Sequence, residues 1–323
     1  MKQYLVDLTT VVRDKILSTE GTLKNRQLNG YSPGGDAQFD IDEVAEQAVQ
    51  DFIASRGESV GCYSEDRGLV RKGVAPDHLL IVDPIDGTRP AAAGLEMACI
   101  SVAVAPYDEG ARIRDVTHAI LREIKSGAYL YADRAAGELV SVGYAGQVPR
   151  LSPNRDLDRL FWSIEFNGHP MQLMTSAYGH LVDRTANRGG IFVFNSASYS
   201  ISRIITGQLD AYVDIGNRLL KDTPSLLPDF ERVGNGHVLH LFPYDIAASV
   251  VIAELAGVTI TDAYGQSLGA TRLVGVGADN QQSCIAASTP EMHAQLIAAI
   301  DWARPAAQRG GATHGPRHGE VIR

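Results

Sequence analysis

The chain has 323 residues, more than the ~100–200 of a typical single domain, and its 45% hydrophobic and 21% charged content suits a folded protein with a sizeable core. The net charge of −9 argues against a nucleic-acid partner, which would require a basic stripe. It also means that an anionic substrate would need bound cations. In chain order, Leu5, Leu8, Val11, Val12, Ile16 and Leu17 recur at helical spacing. Asp7, Arg13 and Asp14 interrupt this stretch too often for a signal-peptide core. Ile41, Val44, Ala45, Ala48, Val49 and Phe52 predict a second amphipathic helix, and NGYSPGGDAQ reads as the loop between the two. LLIV at 79–82 is a continuous apolar run, typical of a strand buried on both faces, and it stops at Asp83. Further strands are predicted over 99–105, 115–121 and 127–133. From about 150 the pattern restarts: FWSIEF and IFVF as strands, SYSISRIIT as a helix, LDAYVDI as a strand. Asp245–Ala256 predicts a helix that opens on Asp245 and stops at Gly257. The expected fold is an α/β (α+β) layered sandwich, with two packed sheet-and-helix subdomains, 1–150 and 151–304, in an αβαβα arrangement. A tail over 305–323, rich in Gly, Arg and His, is expected to be mobile.

Cys62, Cys99 and Cys284 form no CxxC pair or disulfide framework, which fits a reducing compartment. No window approaches ~18 uncharged apolar residues. A cytoplasmic protein without a membrane span is expected.

The segment most informative about chemistry is VDPIDGT at 82–88. Asp83 ends a buried strand and Asp86 follows across a turn containing Pro84, so both carboxylates can meet at one sheet edge. Like charges that close need a cation between them, and hard oxygen donors, with the Ile85 carbonyl among them, select Mg²⁺. Gly87 permits close backbone approach, and Thr88 adds a hydroxyl and an N–H, so the loop suits a phosphate. Alone, DxxDGT describes an ordinary Asp-rich turn, Glu65-Asp66 a solvated loop and Asp245 a helix cap.

As an ordered set these segments resemble the inositol monophosphatase superfamily, Mg²⁺-dependent and lithium-sensitive phosphatases that include fructose-1,6-bisphosphatases and 3′-phosphoadenosine 5′-phosphate phosphatases. VDPIDGT matches the family's metal and phosphate loop, and SED at 64–66 is similar to its Gly-Glu-Glu. YDIAASVVIAELAG is similar to its Trp-Asp-x-Ala-Ala helix, and GDAQFDIDEVAE to its Asp-x-x-Thr-x-x-Asp-x-x-x-Glu segment. The resemblance runs from the helix at 41–53 to CIAASTPEMHAQL at 284–296. It implies a first metal on Glu65, Asp83 and the Ile85 carbonyl, and a second on Asp83, Asp86 and Asp245. Two or three Mg²⁺ ions are implied, with Asp42 near a weaker third one and Thr88 orienting the attacking water with acidic help from Asp42 and Glu65. Gly87 and Thr88 amides would hold the phosphate, while Ser196, Ala197 and Asp214 would meet the substrate. A homodimer is also implied.

The chain departs from the family pattern at several positions. Arg89-Pro90-Ala91 replaces Asn-Phe after DGT, Phe39 stands where Thr is usual, and Tyr244 replaces Trp. Asn195-Ser196-Ala197 replaces a Gly-Ser/Thr-Ala turn. A segment is inserted between Asp214 and Asp245, carrying Arg218, Lys221, Arg232, His237 and His240. It is expected to be a lid or specificity loop, with a surface or dimer-interface excursion as the alternative. The activity expected is hydrolysis of a sugar or polyol monophosphate. The alternatives are a fructose-1,6-bisphosphatase or nucleotide 3′-phosphatase of the same fold, or a non-catalytic scaffold.

Overall fold

The structure is a computed structural model that describes residues 1–19 and 26–305. The expected mobile tail lies, from 306 onward, outside the described residues. The first two helices form as the periodicity predicts, α1 at Lys2–Thr19 and α2 at Asp40–Arg56. Between them the sequence predicted only a loop, but its ends pair as a small antiparallel hairpin, β1 (Leu28–Tyr31) with β2 (Ala37–Phe39). The Ser-Pro-Gly-Gly-Asp stretch makes its turn, with Gly35 in the left-handed region at φ 93°.

Seven strands follow: β3 (Val60–Ser64), β4 (Gly68–Lys72), β5 (His78–Asp86), β6 (Cys99–Pro106), β7 (His118–Glu123), β8 (Tyr129–Asp133) and β9 (Glu138–Val142). They form one sheet in the order β4-β3-β5-β6-β7-β8-β9, antiparallel except for β3 and β5. A short helix, α3 (Thr88–Ala92), follows β5. The strand predicted from 115 begins instead at His118, because Asp115 accepts the Arg112 N–H and closes a 3₁₀ turn there.

The second sheet has five strands: β10 (Phe161–Ile164), β11 (Gly190–Phe192), β12 (Ala211–Asp214), β13 (Thr259–Thr261) and β14 (Cys284–Ala287), in the order β11-β10-β12-β14-β13. β10 runs parallel to both neighbours, and the β14 pairings are antiparallel. The remaining helices are α4 (Met171–Thr185), α5 (Ala197–Ile205), α6 (Gly216–Asp222), α7 (Leu227–Val233), α8 (Pro243–Ala256) and α9 (Pro290–Ala299).

Three apolar cores fill the four interfaces of five layers, the middle one lying on both sides of α5 and α8. Leu5, Leu8, Val49 and Phe52 of α1 and α2 pack on one face of the first sheet, against Leu80, Val82 and Val102. The alternate residues Leu79, Ile81, Ala103 and Leu121 face Ile201, Val250 and Val251 of α5 and α8, which in turn cover Tyr212 and Ala286 of the second sheet. The far face of that sheet, with Trp162 and Val213, is closed by Met174 and Tyr178 of α4 and by Met292 and Leu296 of α9. The order is therefore αβαβα. α8 is apolar all round because it lies between two sheets, whereas α1 needs only one apolar stripe. Among the described residues no helix is long and apolar enough to cross a membrane.

Candidate active site

Strand topology brings the first carboxylates together. β3 and β5 are parallel neighbours with Ser64 opposite Val82, so Glu65 and Asp83 emerge side by side at their carboxyl ends. That is where ligands of such sheets are expected to bind. β5 does not stop at Asp83, as the apolar run suggested, but continues to Asp86 through a bulge: Asp83 pairs with Ser101 and Asp86 with Cys99. Pro84 and Ile85 thus lie opposite the single residue Ile100, and Pro84, lacking an N–H, is tolerated at such a bulge. Asp83 Oδ1 accepts the Ile85 N–H at 3.0 Å, and this bond holds the kink.

Asp86 turns toward the start of α5, where its carboxylate accepts the Ser198 N–H and is met by the Ala197 amide and the Ser196 side chain. A carboxylate is favoured at a helix N-terminus. Asp245 does not open α8 as the sequence suggested. Phe242 caps that helix, Pro243 takes the first position, and Asp245 is the third residue, accepting the Phe242 N–H at 2.6 Å. Asp42 does the same in α2, accepting the Phe39 N–H at 2.8 Å. Both acids are thereby fixed by one turn of helix.

Glu65, Asp83, Ile85, Asp86, Gly87, Thr88, Ser196, Ala197, Asp214 and Asp245 all line one cleft. Asp42 stands behind it, within hydrogen-bond reach of Thr88. Thr88 Oγ1 donates to the Ile85 carbonyl at 3.1 Å. Gly87 has φ 98°, and a β-carbon there would meet the Met97 carbonyl at 2.7 Å, so only glycine fits. Burial, compounded by Asp83 and other neighbouring acids, raises the Glu65 pKa well above the usual range. Burial and Asp86 do the same for Asp83 and Asp245. Burial also raises Asp86, and it pushes Asp42 up to about 8. Among the described residues no three His, Cys, Asp or Glu side chains close into a finished metal cage. The four acids instead line the cleft, with Asp83, Asp86 and Asp245 each still held by a backbone N–H. All their donors are hard oxygens, and the one Arg or Lys among the described residues of the cleft, Arg89, is taken by Asp36. Such a donor set fits divalent hard cations.

Residues 1–304 match the inositol monophosphatase family. The chain belongs to that family. It is accordingly a phosphatase, a phosphoric monoester hydrolase acting on small phosphate esters. A relative from Archaeoglobus fulgidus named fructose-1,6-bisphosphatase/inositol-1-monophosphatase is 25% identical, covering 84% of this chain and 86% of its own. A fructose-1,6-bisphosphatase of Pyrococcus furiosus is 23% identical over 93% of this chain and 98% of its own. Among solved structures, a Thermotoga maritima IMPase superposes with a TM-score of 0.65 at 21% identity, covering 95% and 99% of the two chains, and so shares the fold.

Within the family pattern, the departures now have places. Arg89 makes a two-pronged contact with Asp36 at 2.8 and 3.3 Å and lies over the Phe39 ring. It thereby ties the β1–β2 turn to α3. The inserted segment is not an open lid. Leu219, Leu226 and Phe230 are fully buried in the second-sheet core. Of its basic residues, His240 reaches the cleft, whereas three do not: Arg218 bonds the Ala263 carbonyl and stacks on Trp302, Lys221 reaches the Gln281 carbonyl, and Arg232 pairs with Asp229. Folding these two helices onto the core pulls the long side chains outward. Only the returning stretch, Leu239 to Phe242, lines the cleft. The sequence reading missed Asp36, Glu165, Asn167 and His169 as cleft residues. Glu165 carried a signal, since it follows a strand as Glu65 does. Asp36 stood inside a motif already noted, whereas nothing marked His169.

Proposed function

We propose that the protein is a Mg²⁺-dependent phosphatase of sugar or polyol monophosphates. In this reading Glu65, Asp83, the Ile85 carbonyl, Asp86 and Asp245 would hold two or three Mg²⁺ ions. Bound metal would supply charge neutralisation at the phosphoryl oxygens and a lowered pKa for the attacking water. Gly87 and Thr88 amides hold the phosphate, and Ser196, Ala197 and Asp214 meet the rest of the substrate. Thr88 Oγ1, poised between the Ile85 carbonyl and Asp42, orients the water. Asp42, within hydrogen-bond reach of Thr88, would take up the proton with help from Glu65. The two sheet units divide near residue 150, the second contributing Asp245.

The observation carrying this reading is the convergence of acids from three separate elements, the end of β3, the β5 bulge and the first turn of α8, on one cleft beside Thr88. Unpaired buried carboxylates are costly, and a divalent cation offsets that cost. We further infer a cytoplasmic homodimer that is inhibited by Li⁺ and has no nucleic-acid partner. The three buried free thiols and the acidic charge support the location and the last point.

The test is phosphate release with Mg²⁺ across a panel of sugar, polyol and nucleotide phosphates. Sugar or polyol monophosphates should be the best substrates. Turnover confined to nucleotide 3′-phosphates, or absent throughout, would overturn the assignment.

A further inference from the structure

The second sheet builds its own polar wall in the same cleft. β10 and β12 are parallel neighbours with Ile164 opposite Val213, so Glu165 and Asp214 leave their carboxyl ends side by side, as Glu65 and Asp83 do in the first sheet. Glu165 Oε1 accepts the Phe166 and Asn167 N–H groups, both at 2.8 Å, and Asp214 Oδ1 accepts that of Gly216 at 3.2 Å. Each carboxylate keeps its second oxygen for a ligand. His169 Nε2 lies 3.8 Å from Asp214 Oδ1 and 3.3 Å from His240 Nδ1, and His240 Nε2 is buried without a hydrogen-bond partner among the described residues. Packing fixes this arrangement: a β-carbon on Gly216 would sit 2.5 Å from His169 Nε2, and one on Gly168 would sit 2.4 Å from Leu239 Cβ. Burial favours the uncharged form of both rings.

We propose that Glu165 and His240, together with Asp214, read hydroxyl groups of the substrate and turn away a second phosphate, which makes the enzyme selective for monophosphates of neutral sugars or polyols. The inference rests on the metal-site reading above. A hydroxyl can donate to a carboxylate oxygen and accept from or donate to a ring nitrogen, so it satisfies His240 Nε2, which is otherwise buried without a partner among the described residues. A second phosphate dianion would need a cation here. Among the described residues the cleft offers only Arg89, whose guanidinium is already engaged by Asp36. Like charges brought together in a desolvated pocket discriminate strongly against the wrong ligand.

The test compares kcat/KM with Mg²⁺ for p-nitrophenyl phosphate, fructose 1-phosphate and fructose 1,6-bisphosphate, the last two differing only in the second phosphate. Wild-type enzyme should prefer fructose 1-phosphate over the bisphosphate by more than about tenfold. Glu165→Gln, which keeps a carbonyl acceptor for the two N–H groups, should narrow that ratio at least about threefold, mainly through KM for the bisphosphate. His240→Asn should raise KM for fructose 1-phosphate more than for p-nitrophenyl phosphate, which has no hydroxyl to read. Equal or better turnover of the bisphosphate by wild type overturns the inference even if neither variant folds. So does a Glu165→Gln enzyme with an unchanged ratio. If p-nitrophenyl phosphate and both sugar phosphates all go unhydrolysed, the metal-site reading itself fails, an outcome distinct from a loss of selectivity.

Discussion

Asp83 serves both the fold and the proposed metal site. Its Oδ1 holds the β5 bulge through the Ile85 N–H, and its neighbours Glu65, Asp86 and Asp245 are all acids. Changing it to Asn keeps the N–H acceptor but removes the charge shared by both proposed metals. Groups that merely support a metal ligand cost 10–100-fold when lost, so Asp83→Asn should lower kcat/KM by more than about a hundredfold. Retention of a tenth of wild-type kcat/KM would show that Asp83 is no bridge. Thr88→Val tests the proton path separately. Lost general acid-base help costs about 10²–10⁴-fold, so kcat should fall by about that factor while Mg²⁺ affinity stays within a few-fold. An equal loss of metal affinity would place Thr88 among the ligands instead. At this scale the sequence was informative wherever a residue's position follows from the chain next to it: Asp83 and Asp86 lie on one strand end, and the Gly87 turn demands glycine. It was uninformative where position depends on distant packing, as with His169, whose contact with His240 joins segments with no common local pattern.

Elements with strong periodicity or clear stops were legible, among them α1, α2, α5, α8 and β5. β3 and β4 were not, since β3 is buried throughout and short, which gives no alternation to read. α4 carried a usable pattern, Leu173, Met174, Ala177, Tyr178 and Leu181, but it went unread beside the strands around it. The lid expected of the inserted segment was not found, because its leucines suit a mobile lid and a packed helix pair equally well in sequence, although its return does line the cleft. In the fold Phe230 is fully buried and packs edge-on to His169 and His240. Phe230→Ala should therefore cost about 3–5 kcal/mol of stability. Urea unfolding measures this directly, and a loss below about 1 kcal/mol would restore the loosely attached lid.

For the molecule as a whole, two sheet-and-helix units were readable from the alternation of helices and strands, whereas the strand order depends on which segments pair across the chain. The same layering buries many acids, and this makes stability depend on pH. Burial raises Glu46, Glu165 and Asp214 to about 7 and Asp42 to about 8. A carboxyl group with a folded pKa above its unfolded value takes up a proton on folding, so its contribution is complete below the unfolded value near 4 and is lost as pH rises through 7–8. The metal-free protein should thus melt at a higher temperature at pH 6 than at pH 8. A flat or reversed profile in EDTA would mean that these acids are charged and paired in the fold. Metal dependence of hydrolysis bears most directly on the central claim, that the carboxylates of β3, β5 and α8 form a hydrolytic metal site. Phosphate release from a sugar or polyol monophosphate should vanish after exhaustive EDTA treatment and return on adding Mg²⁺, whereas undiminished release from the metal-stripped protein would contradict the account.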